Sequence, residues 1–104
     1  MKIFKYTLQA ITYQTLYLPK NSWILSVQAQ KMADGTEEAQ LWALVDDKEE
    51  EKVGRMIFIY GTGQEILEDT DELKFINTFQ MNNGSLVFHV FEKYRWGEAY
   101  GKAS

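Results

Sequence analysis

His89 is the only histidine of the chain, and it lies inside the apolar stretch from Val87 to Phe91. An imidazole titrates near neutral pH, so this side chain is the first candidate for a general base or a ligand. The spacing fixes no serine or aspartate beside it, and there is no second histidine with which it would share a metal. The simpler interpretation is a polar residue on the outer face of a strand. We predict no catalytic residue, no metal site and no cofactor.

The segment Gly61-Thr62-Gly63 invites comparison with a phosphate-binding loop. A Walker loop continues with Lys and Ser or Thr, and it opens a helix whose N-terminus faces the anion. Here Gln64 and Glu65 follow the glycines, and the carboxylate would repel a phosphate. The segment is therefore interpreted as a turn or bulge that ends a strand, with backbone amides able to donate hydrogen bonds to a ligand.

Two acidic segments, residues 46–52 and 65–72, hold enough carboxylates to suggest a calcium loop. Such a loop spaces its oxygen ligands alternately around a glycine. Neither segment contains a glycine, and Lys48 interrupts the first. Both are interpreted as solvated loops.

Residues 93–104 are predicted to form an aromatic and basic C-terminal tail, separate from a single β domain of residues 1–92. Tyr94, Arg95 and Trp96 alternate aromatic and basic side chains. Such interleaving stacks on bases or anchors a protein interface. The simpler interpretation is a tail that docks on its own domain or frays.

The elements that must position these residues follow a period of two. Residues 39–45 place Ala39, Leu41, Ala43 and Val45 on one side, and residues 4–8, 16–18, 23–30 and 56–60 alternate similarly. Turn-forming residues separate these runs. The pattern predicts an all-β fold, a small antiparallel β-sandwich or barrel of about seven strands. The segment from Glu65 to Leu73 is predicted to be a loop that can contain one short helical turn.

The last two strands are predicted to form a hairpin around Asn83-Gly84, because a type I′ turn needs positive φ at both central residues. A two-residue loop pairs Met81 with Leu86, Thr78 with His89 and Ile76 with Phe91. The predicted core face consists of Phe75, Phe79, Met81, Leu86, Phe88 and Val90. The predicted outer face consists of Ile76, Thr78, Gln80, Val87, His89 and Phe91.

Charge and composition exclude several classes of function. The 104 residues suit one domain, and the absence of cysteine rules out a disulfide framework. A net charge of −4 makes a double-stranded nucleic acid an unexpected partner. No apolar run approaches the length of a membrane span, so no membrane association is expected.

Several segments, in order, resemble a family of small uncharacterised proteins encoded in bacteriophage and prophage genomes. They are "LPKNSWILSVQAQ", "LWALVD", "IYGTGQEI" and "FINTFQMNNGSLVFHVFE", and the resemblance covers most of residues 1–92. The loop from Lys31 to Gln40 and the aromatic tail depart from the family pattern. The resemblance implies a phage accessory protein in the host cytoplasm, and it carries over no activity and no catalytic residues.

The resulting functional hypothesis is a non-catalytic binding protein that inhibits or sequesters a host component, such as a defence protein or a small nucleotide signal. An enzyme is not expected. The alternative is a minor structural or assembly protein of the virion, because edge strands can pair with other chains. A homo-oligomer is expected, since Trp42, Ile76 and Phe91 are predicted to face outward. The candidate contacts are Trp42, Arg55, Tyr60, Gly61, Thr62, Gly63, His89, Tyr94, Arg95 and Trp96.

Overall fold

A computed structural model describes residues 1–93, 98–99 and 102–103, and it confirms the all-β prediction. The short helical turn expected in the acidic segment is a single turn of 3-10 helix at Thr70–Glu72. Among the described residues, no helix has the length and apolar character needed to cross a membrane. The strands are β1 (Lys2–Leu8), β2 (Tyr13–Pro19), β3 (Trp23–Lys31), β4 (Glu37–Val45), β5 (Lys52–Gly61), β6 (Leu73–Met81), β7 (Leu86–Lys93), β8 (Glu98–Ala99) and β9 (Lys102–Ala103).

Seven of these strands form two antiparallel sheets. The three-stranded sheet has the order β1-β4-β3, and the four-stranded sheet has the order β2-β5-β7-β6. These seven strands form two separate sheets whose inner faces share a core. Of the two predicted architectures, sandwich and barrel, the structure is therefore the sandwich. The edge strands β3 and β6 lie against each other along one side of the sandwich.

The core lies between the inner faces of the two sheets, and β4 confirms its predicted apolar side. Ala39, Leu41, Ala43 and Val45 are all buried, as the alternation predicts. Every second side chain of a strand points inward, so a strand that is apolar at alternate positions contributes those side chains to the core. The other buried members of this cluster are Leu8, Leu18, Val27, Ile57, Ile59, Phe79 and Val90.

The hairpin of β6 and β7 has the predicted register over most of its length. The pairs Met81–Leu86 and Thr78–His89 are both present. Asn83 and Gly84 have φ values of 55° and 86°, as the turn chemistry requires, and Asn82 also has a positive φ of 53°. Three successive left-handed residues are tolerated here because Asn and Gly carry the smallest penalty in that region.

A β-bulge between Phe75 and Asn77 makes the predicted pair Ile76–Phe91 wrong. Phe75 pairs with Phe91 instead, and it is 54% exposed on the outer face. Ile76 packs against the core, so it is not part of the outward apolar surface from which an oligomer was predicted. The extra residue of a bulge reverses the alternation on one side of it, which exchanges the faces of Phe75 and Ile76. Leu86, also predicted to be core, is exposed beside the turn.

A second bulge interrupts β3 between Ile24 and Ser26. Trp23 and Val27 fall on the same side in the uninterrupted pattern of the sequence. In the structure Val27 is fully buried, whereas Trp23 is 68% exposed. The bulge therefore turns a tryptophan out of the sandwich at the start of the edge strand.

The side chain of Asn77 joins the two sheets where their edges meet. Its Oδ1 accepts a hydrogen bond from the backbone N–H of Val27 at 2.7 Å, and its Nδ2 donates to the carbonyl of the same residue at 2.7 Å. The amide thus satisfies both outward-pointing backbone groups of an edge-strand residue, as a neighbouring strand would.

We predict that Asn77→Ala lowers the free energy of unfolding by about 2–4 kcal/mol, because it leaves a backbone donor and an acceptor without their partner. Urea denaturation measures this loss, and hydrogen exchange should show faster exchange at the Val27 amide. Gln80→Ala, at an exposed position of the same strand, is the control and should change stability by less than about 0.5 kcal/mol. Unchanged protection of the Val27 amide would contradict the bridging role of Asn77.

Candidate functional site

His89 lies half-buried on the outer face of the four-stranded sheet, between two threonines. Its Nδ1 is 2.9 Å from Thr78 Oγ1, the predicted cross-strand partner, and its Nε2 is 2.8 Å from Thr62 Oγ1. A hydroxyl both donates and accepts, so either neutral tautomer is satisfied at both nitrogens. The arrangement is that of a polar cross-strand cluster, in which a threonine hydroxyl faces each ring nitrogen. Thr62 was not predicted as a partner, because it is 27 residues away in the chain and reaches His89 through the turn after β5.

Tyr60 belongs to a row of aromatic side chains on the same outer face. Tyr60 and its neighbour Phe58 are buried although they point away from the core. Tyr60 therefore offers no free ring face to a ligand. The successive ring-centroid distances in the row are Tyr13–Phe58 4.9 Å, Phe58–Tyr60 6.1 Å, Tyr60–Phe91 6.1 Å and Phe91–Phe75 5.5 Å.

The loop between β5 and β6 crosses this outer face, because it connects opposite ends of the sandwich. Glu68 in the loop forms an ion pair with Lys93 of β7, and Glu72 lies 3.6 Å from the same ammonium group. Burial raises the pKa of Tyr60, and the nearby Glu68 carboxylate raises it further. The hydrogen bond to Glu68 likewise raises the pKa of Lys93, so the ammonium group stays charged beneath the loop.

The turn at Gly61-Thr62-Gly63 ends β5, as predicted, and two of its amides are already engaged. The N–H of Gly61 donates to Gln64 Oε1 at 3.0 Å, and the N–H of Thr62 donates to the carbonyl of Val87 at 3.2 Å. Gly63 has a φ of 88°, which favours glycine. These two amides therefore stabilise the turn and are not free to bind an anion.

Arg55 lies inside the sandwich, at the end where β5 begins. Its guanidinium forms a two-pronged ion pair with Glu92, with one N–H···O contact between Nη2 and Oε1 of 3.1 Å, and it donates to the carbonyl of Ser22 at 2.8 Å. Arg55 and Glu92 are both buried. The carboxylate compensates the guanidinium charge, and a paired geometry of this kind is what makes a buried arginine tolerable.

Trp42 lies half-buried on the outer face of the three-stranded sheet, beside three other apolar side chains. Leu44 follows it on the same face of β4 and pairs with Ile3 on one side and Trp23 on the other. Trp23 and Ile3 are strongly exposed. We call Ile3, Trp23, Trp42 and Leu44 the apolar face. Of these four residues, only Trp42 was predicted from the sequence as a contact. The bulge that exposes Trp23 cannot be recognised from the order of apolar and polar residues.

The other half of this outer face is polar. Lys5 Nζ donates to Gln30 Oε1 at 2.9 Å, which links the two edge strands across β4. Gln40, on β4 between them, accepts from Thr7 Oγ1 at 3.0 Å and is buried. The apolar face is thus bordered on one side by a fixed polar network.

The structure separates most of the predicted site residues. It brings Tyr60, Thr62 and His89 together on one outer face, places Trp42 on the opposite face and encloses Arg55 between the sheets. Tyr94, Arg95 and Trp96 lie outside the described residues. In the part of the chain that the structure covers, no three His, Asp or Glu side chains come together in a way that could hold a metal ion.

A family model with the description "Domain of unknown function (DUF7352)" matches residues 1–100. The chain belongs to this family. No curated protein matches it, and no solved structure matches it. The DUF7352 match includes all seven strands of the sandwich, together with the apolar face, the His89 cluster and the buried ion pair.

We predict that Glu92→Leu destabilises this DUF7352 protein by about 3–5 kcal/mol in urea denaturation, because it leaves the buried guanidinium of Arg55 without its carboxylate. The double variant Arg55→Met/Glu92→Leu removes the buried guanidinium as well and should be more stable than Glu92→Leu alone. Glu51→Leu is the control, since it removes an exposed carboxylate paired with Lys20, and it should change stability by less than about 1 kcal/mol. A double variant less stable than Glu92→Leu would show that loss of the Glu92 carboxylate beside the guanidinium is not the main cause of the destabilisation.

Proposed function

We propose that this protein is a phage accessory protein that acts by non-catalytic binding and inhibits or sequesters a component of the host. The resemblance to small phage-encoded proteins supports the phage origin and action in the host cytoplasm. The observation that carries the binding role is the apolar face, where Trp23 is 68% exposed beside Leu44 and Ile3. A host protein, such as a defence protein, is the partner that this surface suits best.

The apolar face has the features of a protein-binding surface. Exposed apolar patches with a polar border mark interaction sites, and tryptophan is enriched among the residues that dominate binding energy. Ile3, Leu44 and Trp23 lie side by side on three strands, so the sheet holds their spacing rigid. A rigid surface loses little conformational entropy when it binds, which favours occupancy of a partner as the mode of action.

A small nucleotide signal is supported less well by the described residues. Arg55, the expected phosphate contact, is buried and compensated by Glu92. Tyr60, the expected stacking platform, is buried as well. The net charge of −4 also repels an anionic nucleotide.

The alternative is a minor structural or assembly protein of the virion. The observation that favours it is the pair of edge strands β1 and β2, each of which pairs with one neighbouring strand among the described residues, whereas the edges of β3 and β6 lie against each other. Mass spectrometry of purified particles separates the two functions. Stoichiometric presence of the chain in the particle would replace the accessory role with the structural one.

We predict that Trp23→Asp reduces capture of the host partner by about 30-fold or more, the effect of losing a dominant contact of roughly 2 kcal/mol. The experiment uses the tagged full chain in host cells and identifies the protein that the wild type retains. Tyr17→Asp is the matched control, because Tyr17 is 66% exposed on an edge strand of the other sheet. Equal loss in both variants would contradict binding through the apolar face.

The purified wild-type protein also tests whether the ligand is a nucleotide and whether the chain forms a homo-oligomer. Binding of a nucleotide would raise the melting temperature with the logarithm of its concentration, and no shift is expected across a panel of nucleotides. If the apolar face binds a second copy, light scattering at micromolar concentration should show a dimer for the wild type and a monomer for Trp23→Asp.

A further inference from the structure

The four edge strands of the sandwich differ in how they are protected from pairing with another chain. Each of β3 and β6 contains a bulge, and the two strands lie against each other. β1 carries Lys2 on one face and Lys5 on the other. Bulges and lysines are devices by which proteins keep an edge strand from pairing. β2 has neither, because Tyr13–Pro19 includes no charged residue and pairs with β5 in an unbroken register.

The backbone of β2 directs alternate residues away from its own sheet. At the two ends of the strand, Ile59 donates its N–H to the carbonyl of Thr12 and Lys20 donates to the carbonyl of Glu51, both at 2.8 Å. Because bonded residues alternate along an antiparallel strand, the even-numbered residues bond to β5 and the odd-numbered ones point outward. Pro19 has no N–H to present and ends the outward series. The remaining members, which we call the outward row, are Tyr13, Thr15 and Tyr17.

The side chains of the outward row are already ordered in the single chain. The hydroxyls of Tyr13 and Thr15 are 3.0 Å apart, and the Tyr13 ring lies 4.9 Å from that of Phe58. A Cβ at Gly54 would lie 3.3 Å from Cε1 of Tyr17, so the glycine leaves room for this ring on the sheet. Both tyrosines are nevertheless exposed. Ordered, exposed tyrosines are typical of protein interfaces, since they bury a large area at a small cost in entropy.

The two sheets leave space for a further strand beside β2. They meet where β3 lies against β6, and from there the first sheet adds β4 and β1, whereas the second adds β7, β5 and β2. The strand order therefore places β2 one strand beyond the edge of the three-stranded sheet. A strand added to β2 extends the four-stranded sheet, and the three-stranded sheet of the same chain does not block it.

We propose that β2 pairs with β2 of a second copy of this chain, antiparallel, about a two-fold axis at Thr15. The outward row reads Tyr-Thr-Tyr in either direction, which is the self-complementary pattern that a two-fold interface requires. Thr15 then faces its own copy, and Tyr13 faces Tyr17 of the second copy. Each of these residues donates and accepts one backbone hydrogen bond across the axis. Because β2 is uncharged, the pairing places no like charges opposite each other.

This pairing is independent of the host partner proposed above. Each copy uses its β2 edge once, so assembly through this edge stops at the dimer. The apolar face, with Trp23, lies on the other sheet and stays exposed. A dimer that fails to form therefore leaves the proposed host binding untouched, and a missing host partner leaves the dimer untouched.

Cysteine cross-linking of the full chain tests the two-fold register, because the sequence has no cysteine of its own. Thr15→Cys places two thiols opposite each other, where the Cα atoms of a bonded pair are about 5.5 Å apart and within reach of a disulfide. Tyr17→Cys is the matched control on the same strand, since its two copies lie about 14 Å apart along the strand direction. Under mild oxidation Thr15→Cys should form a covalent dimer about tenfold faster than Tyr17→Cys, as measured by non-reducing electrophoresis. Equal rates would overturn the proposed register.

Sedimentation equilibrium tests the dimer without a cross-link. The wild type should dimerise with a dissociation constant of about 10–100 µM, because one strand pair is at the small end of protein interfaces. Thr15→Lys sets two ammonium groups against each other at the axis and should raise this constant about tenfold or more. Gln80→Lys adds the same charge at an exposed position of β6 and should dimerise like the wild type, as should Trp23→Asp. A monomeric wild type at about 1 mM, or equal weakening by Gln80→Lys or Trp23→Asp, would overturn the proposal.

Discussion

The sandwich depends on one amide at the edge where its two sheets meet. Val27 is fully buried in an edge strand, and its backbone N–H and carbonyl point toward β6 instead of β4. Buried backbone groups without partners would oppose closure of the sheets, and Asn77 satisfies both with one side chain. The bulge beside Asn77 also directs the side chain of Ile76 into the core. This contact therefore joins β3 to β6 at the edge where the core closes.

The sequence was sufficient to predict the fold class, the seven strands and the register of the last hairpin from its turn as far as Asn77. These features rest on local chemistry, namely alternation of side chains and the positive φ that Asn83 and Gly84 tolerate. The bulges at Leu25 and Ile76 were not predictable, because each lies in a run of neighbouring apolar residues, Trp23-Ile24-Leu25 and Phe75-Ile76. A pattern such as Phe75-Ile76 satisfies either face equally well, and only the packing of β3 against β6 decides which side chain turns inward.

The site was predicted less completely than the fold, because its contacts join residues far apart in the chain. His89 and Thr78 were paired correctly from the hairpin register, whereas Thr62 reaches the ring through a turn whose path no local signal encodes. Arg55 suggested a contact for a phosphate, and its partner Glu92 lies 37 residues away on an adjacent strand. An arginine within an apolar strand is therefore equally compatible with a ligand site and with an internal ion pair until the partner is known.

The order of strands along the chain has a consequence for how the polypeptide folds. β2 belongs to the four-stranded sheet but lies between β1 and β3 along the chain, and among the described strands β1 pairs with β4 alone. Neither sheet can be completed from one contiguous part of the chain, so few of the native pairings are local. Topologies of this kind fold slowly. During synthesis, the apolar side chains of the first strands stay exposed to solvent until the later strands have been made. We therefore expect the two sheets to form in a single cooperative transition rather than in succession.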